Sequence, residues 1–312
     1  MKQIIEGVLS KDPKSISRAI SIVEKNDSES DKLLSILYPS ISNSSHKVGI
    51  TGPPGAGKST LVNSIIKRSR KDGLSIAVIG VDPSSPFSGG AILGDRIRMQ
   101  THYNDSDVFI RSMASRKNLG GISDSTNKVG MVLDAAGYDI ILFETVGVGQ
   151  LEVNVMEVSD TVLVVLVPES GDSIQMMKAG LLEISDIFVV NKADRPGSTK
   201  ICTNLKNIIS HTENEAWTPL VCMTEAVKDK GIDELFESIS LHRKFLDKNN
   251  YKERSNRRQY RKYIDELIIK DFKESYWNSS RIEMFENEVN KEYKDRISPY
   301  KLFIKLKNDK KR

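Results

Sequence analysis

The chain has 312 residues, 28% of them charged, and a formal net charge of +4. No apolar run approaches the roughly 18 residues of a membrane span, and Met1–Gly7 lacks the apolar core of a secretory signal, so a soluble, cytoplasmic protein with no membrane partner is expected. Two cysteines, Cys202 and Cys222, and four scattered histidines show no ligand spacing, which argues against a disulfide framework, a zinc site and a histidine-rich metal-delivery tract.

Residues 1–45 read as a helical extension. Asp12-Pro13 is a helix cap followed by proline at the first helical position, and Ile16, Ala19, Ile20 and Val23 then recur at helical spacing. Leu33, Leu34 and Leu37 mark a further short helix, and the serine-rich stretch 40–45 is a linker that ends the extension.

From 46 to 242 the pattern becomes β–α alternation, with strands expected at 47–51, 75–81, 108–111, 139–143, 161–167, 186–190 and 219–223. Several are continuous apolar runs, as central parallel strands covered on both faces require. The expected fold is a doubly wound, mostly parallel α/β sheet with its ligand at the carboxyl ends of the strands.

The first strand leads into Gly52-Pro53-Pro54-Gly55-Ala56-Gly57-Lys58-Ser59, a complete G-x-x-x-x-G-K-[ST] phosphate loop, followed by Thr60. Its backbone N–H groups and the helix end behind it suit phosphate oxygens. Lys58 is placed to reach the β- and γ-phosphates, and the Ser59 hydroxyl to ligate Mg²⁺. Leu61, Val62, Ile65 and Ile66 put an apolar stripe on that helix, and Asp72-Gly73 stops it.

Three acids come next. Asp82 ends the second strand and Glu144 the fourth, where carboxylates beside a phosphate loop can hold Mg²⁺ directly or through water. Asp95 lies in the glycine-rich stretch 88–96, which suits a nucleotide-sensing switch. The sixth strand runs into Asn191-Lys192-Ala193-Asp194. A carboxylate there can accept from N1–H and the exocyclic amine of guanine, a donor pair adenine lacks. The Lys192 stem can pack on the base, and Asn191 can bridge to the phosphate loop.

Residues 243–312 are again helical and basic, with 21 Lys+Arg against 12 Asp+Glu, a net of +9 that leaves −5 for the remainder. Tyr260, Tyr263, Ile264, Leu267, Ile268 and Phe272 make one apolar face, Phe285, Val289 and Tyr293 a second, and Ser298-Pro299 opens a last helix. No nucleic-acid module accompanies the charge, so no nucleic-acid partner is expected. These helices are too thin for a core of their own.

Together these residues resemble the methylmalonyl-CoA mutase-associated GTPases of the MeaB/ArgK type, a cofactor-delivery branch of the phosphate-loop GTPases. The resemblance rests on the phosphate loop and on the runs 81–90, 94–99, 119–121 and 135–138. It continues with Glu144-Thr-Val-Gly-Val-Gly-Gln150, with Gly171-Asp172, Gln175 and Lys178, and with Asn191–Asp194. A glutamate at 144, where most GTPases place aspartate, is what that branch shows.

Membership implies GTP and GDP as ligands with Mg²⁺, with Ser59, Asp82, Asp95 and Glu144 serving metal and switches. It implies a homodimer aided by the carboxyl-terminal helices, and a third switch at Asp172, Gln175 and Lys178. It implies a chaperone whose GTP binding and hydrolysis gate loading of adenosylcobalamin into a cobalamin-dependent acyl-CoA mutase and protect that enzyme. The family's Ser-Ala beside the guanine is here Glu225-Ala226, followed by Val227. That keeps a backbone contact and puts the serine's role in question.

The mechanism expected is attack of water on the γ-phosphorus, with Lys58, Glu144 and Asp95 as the catalytic set. No glutamine is clearly placed to orient that water, so slow hydrolysis by the isolated protein is expected. Two alternatives remain open at this point, a phosphotransferase acting on a protein or small molecule and a non-catalytic GTP-dependent scaffold.

Overall fold

The computed structural model describes residues 1–83, 102, 104–115, 124–145, 158–170, 181–210 and 216–309. The chain divides into two units, Met1–Asn249 and Asn250–Arg312. In the first unit seven strands, β1 (His46–Thr51), β2 (Ile76–Pro83), β3 (Val108–Ser115), β4 (Ile140–Thr145), β5 (Thr161–Leu166), β6 (Ile187–Asn191) and β7 (Leu220–Thr224), form one sheet in the order β3-β2-β4-β1-β5-β6-β7. Every pairing is parallel.

The helices of this unit are α1 (Lys2–Leu9), α2 (Pro13–Lys25), α3 (Ser28–Leu37), α4 (Lys58–Lys71), α5 (Asp124–Ala135), α6 (Leu181–Ile184), α7 (Ser198–Ser210) and α8 (Ile232–Lys248). Alternate residues of each strand feed opposite faces. On one face Val48, Ile50, Leu142, Leu163 and Val189 pack against Leu61, Val62, Ile65 and Ile66 of α4 and Ile232, Leu235 and Ile239 of α8. On the other, Ala77, Ile79, Ile141 and Phe143 meet α1–α3 and α5, while Val162, Val164, Phe188 and Val190 meet α7.

Packing dominates the stability of α4. Its three serines and its charged residues differ from alanine by about 0.5 kcal/mol each in propensity, whereas each of its four buried aliphatics is worth roughly 1.5–3 kcal/mol. The helix ends at Asp72, and Gly73 follows with φ 75°.

The helices of residues 1–45 lie on the sheet within the same unit, and Asp12 caps α2 by accepting from Ser15 N at 2.8 Å. Helix α8 runs unbroken through the 242/243 boundary drawn from the sequence.

The second unit holds α9 (Tyr251–Tyr276), α10 (Ser279–Val289) and α11 (Pro299–Asn308). Arg281 ties them together. Its guanidinium donates to the carbonyls of Tyr276 (2.8 Å), Leu306 (3.0 Å) and Asp309 (2.7 Å) and lies over the Tyr276 ring. Tyr293 does not extend the Phe285–Val289 face. Helix α10 stops at Val289, and Tyr293 opens a separate 3₁₀ turn with 89% of its surface exposed. None of the residues of α9 is buried.

Candidate functional site

The phosphate loop leaves β1 at the centre of the sheet and enters α4 at Lys58. Gly52 and Gly57 are required by space as well as by φ (139° and 86°). A Cβ on Gly52 would lie 2.1 Å from the Val165 carbonyl oxygen, and one on Gly57 would lie 2.5 Å from Asn191 Nδ2. The buried Lys58 ammonium donates to the carbonyls of Gly52 (2.7 Å) and Pro53 (3.1 Å), against its own loop. Lys192 reaches the same loop, donating to the Gly55 carbonyl at 2.7 Å.

Ser59 and Glu144 meet. The Ser59 hydroxyl donates to Glu144 Oε1 at 2.7 Å, and both side chains are buried. The meeting follows from register, because Glu144 pairs with Ile50 beside the start of the loop. Beside it Thr145 Oγ1 contacts Thr51 Oγ1 (3.1 Å) and the Ile50 carbonyl (3.3 Å). The donor set at this point is a hydroxyl and a carboxylate. With its hydrogen committed to Glu144, the Ser59 oxygen keeps lone pairs for a hard cation, and such oxygen ligands fit Mg²⁺.

Asn191 pins the phosphate loop to the loop after β7. It is 2% exposed. Its Nδ2 donates to the Ala56 carbonyl (2.9 Å), while its Oδ1 accepts from Thr224 Oγ1 (3.0 Å) and from the Ala226 N–H (3.2 Å). Lys192 turns the chain with φ 56°, and Ala193 N donates to the Thr224 carbonyl at 3.0 Å. The loop after β6 is thereby held beside the loop after β7, with Asp194 exposed at its tip.

The loop after β7 is closed by Glu225 and Lys230, whose backbones exchange hydrogen bonds of 3.0 and 3.3 Å. The Glu225 carboxylate pairs with Lys228 (2.9 Å) and Lys230 (3.5 Å). The hydrogen bond from Lys228 holds Glu225 below the usual carboxylate range, and Glu225 in turn raises Lys228. Ala226 is buried, whereas Val227 is 87% exposed.

Residues 16–281 match the family described as Methylmalonyl Co-A mutase-associated GTPase MeaB. The chain belongs to this family. A Pyrococcus horikoshii protein named provisionally as a GTPase is 47% identical over 251 residues, covering 79% of each chain. The GTPase ArgK of Escherichia coli is 36% identical over 234 residues, covering 72% of this chain and 70% of its own. A solved structure, that of an LAO/AO transport system kinase, superposes with a TM-score of 0.67 at 24% identity over 98% of this chain and 96% of its own, a likeness of fold. The chain is therefore a mutase-associated GTPase of the phosphate-loop class.

Part of the family pattern lies outside the described residues. This holds for Asp95, for most of the run 81–99, for 119–121, for Gly147 and Gln150, and for Asp172, Gln175 and Lys178. The backbone of Asp82 lies one residue before the end of β2, in register with Ala114, and its side chain is likewise outside that set. Among the described residues no three His, Cys, Asp or Glu side chains gather as a metal cluster, and no helix is long and apolar enough to cross a membrane. Cys202 and Cys222 are buried free thiols.

Three features of this GTPase had no signal in the sequence. Thr224 positions Asn191 and reads as an ordinary strand residue. Ser64, buried on α4, contacts both the Ala226 carbonyl (2.9 Å) and Asp229 Oδ1 (2.6 Å). It has one hydrogen to share between them, and it couples the phosphate-loop helix to the loop after β7. At the opposite edge of the sheet, Thr161 Oγ1 sits 2.8 Å from both His46 Nε2 and His242 Nδ1. Burial pushes His242 down to about 4.

Proposed function

We propose that this chain binds GTP and Mg²⁺, hydrolyses GTP slowly on its own, and uses the cycle to gate adenosylcobalamin loading and protection of a cobalamin-dependent acyl-CoA mutase. The observation that carries the chemistry is the Ser59–Glu144 contact at 2.7 Å beside Lys58. The family match over 16–281 supports the mutase as partner. We place the protein in the cytoplasm as a homodimer, with 1–45 as an amino-terminal extension, 46–242 as the nucleotide domain and 243–312 as the dimerising segment.

In this reading the loop N–H groups at 52 and 55–60 and the start of α4 surround the phosphate oxygens. Lys58 exchanges its loop carbonyls for the β- and γ-phosphate oxygens. Magnesium, when bound, offsets phosphate charge, and Ser59, Glu144, Asp82 and Asp95 are the residues proposed to hold it. Glu144 orients the Ser59 oxygen, and with Asp95 positions the attacking water, so catalysis is positioning and electrostatics rather than covalent chemistry. Asp194 accepts from the guanine edge, Lys192 and Val227 flank the ring, and the backbone of Glu225 and Ala226 faces it. Asn191 holds these two loops at a fixed distance from the phosphates.

The test is nucleotide preference. Wild type should bind GTP over ATP and XTP. Asp194→Asn should lose GTP preference and gain XTP, because an amide presents a donor to the xanthine oxygen and matches that edge. Unchanged preference in the variant would overturn the base assignment.

A further inference from the structure

Two cations near Asp194 are held by other carboxylates. Arg195, the next residue in the chain, pairs with Glu169. Lys228 enters from the adjacent loop and pairs with Glu225 at 2.9 Å. The two loops leave neighbouring parallel strands, with Asn191 and Thr224 in register and Ala193 N bonded to the Thr224 carbonyl. Lys228 therefore lies within the electrostatic reach of Asp194, whose negative charge also acts on it. Asp194 itself forms no hydrogen bond or ion pair among the described residues.

Glu225 is the group that holds Lys228. A hydroxyl at this position would hold no ammonium group. The flexible stem of Lys228 would then leave its ammonium free to turn to Asp194, whose charge already acts on it, and an ammonium on Asp194 competes with the N–H donors of a purine for the same oxygens.

We propose that Glu225 is a specificity-determining residue of the guanine site: by holding Lys228 it keeps that ammonium off Asp194 and leaves the Asp194 carboxylate to the base. The inference rests on the reading of Asp194 as the guanine-selecting group. Lys230, 3.5 Å from the other carboxylate oxygen, completes the hold on Glu225. Both pairs have exposed lysines, so the competition has the strength of a surface ion pair, roughly two- to fivefold in affinity, and is screened by salt.

The experiment is equilibrium binding of GDP to the full chain at low and high ionic strength, for Glu225→Ser, the isosteric Glu225→Gln, and Glu225→Ser combined with Lys228→Ala. The single variants should bind GDP roughly two- to fivefold more weakly at low salt. The defect should close at high salt, and Lys228→Ala should restore wild-type affinity in the Glu225→Ser background. A purely structural role for Glu225 would give a loss that Lys228→Ala does not repair, and that result overturns the proposal. So does unchanged affinity in both single variants. Asp194→Asn measured alongside separates the two ideas: retained guanine preference there removes the base assignment, whereas an XTP switch with silent Glu225 variants removes only the role of Glu225.

Discussion

The titration of His242 bears on stability. Its Nε2 faces Asp186 Oδ1 at 3.4 Å, so that nitrogen carries the hydrogen. Nδ1 then accepts from Thr161, and Thr161 accepts from His46 Nε2–H. Trp217 and Phe245 cover the ring. Burial, opposed weakly by Asp160, lowers His242 from 6.5 to about 4. The unfolded chain therefore binds more protons between those values. Stability from this group is complete above pH 6.5 and declines as pH falls toward 4, by an amount on the order of 3 kcal/mol. His242→Gln should flatten the dependence of the urea midpoint on pH between 6.5 and 4. An unchanged slope would mean that His242 does not titrate on unfolding. The residues with the clearest motif, Lys58, Ser59, Asn191 and Asp194, were legible because phosphate and guanine chemistry restrict which side chains can stand there. Thr224, Ser64 and Lys228 were not, since a hydroxyl or an ammonium acquires its role only from the partner that the fold brings to it.

At the level of elements, α9 buries none of its residues. Ile264, Leu267, Ile268, Ile269 and Phe272 are all exposed, and an apolar face of this length in water marks an interface. The proposed homodimer covers it. Ile268→Asp combined with Phe272→Asp should sediment as a monomer where the wild-type chain sediments as a dimer. A wild-type monomer, or a variant that remains dimeric, would contradict that assignment. The seven strands were readable because each parallel strand buried on both faces is a short, nearly unbroken apolar run, as in Thr161–Leu166. The second apolar face was misplaced for a local reason. Periodicity carried Tyr293 along with Phe285 and Val289, while the helix stops before it and Glu288 accepts from the Ile297 N–H at 2.8 Å, folding the chain back.

On the scale of the whole molecule, the sheet delivers three loops and one strand end to one edge. β1 carries the phosphate loop, β4 brings Glu144 to Ser59, and β6 and β7 set Asp194 and Glu225 beside each other. Asn191 joins the phosphate and base halves, so a change at either is felt by the other. Hydrolysis is proposed to stay slow until the partner engages. The direct measurement is the rate of GTP hydrolysis by the purified chain, alone and with a cobalamin-dependent acyl-CoA mutase. Turnover by the chain alone should fall well below the ~10 s⁻¹ of an activated GTPase and should rise on adding the mutase. Turnover near that rate by the isolated chain, or a rate indifferent to the mutase, would contradict the proposed role.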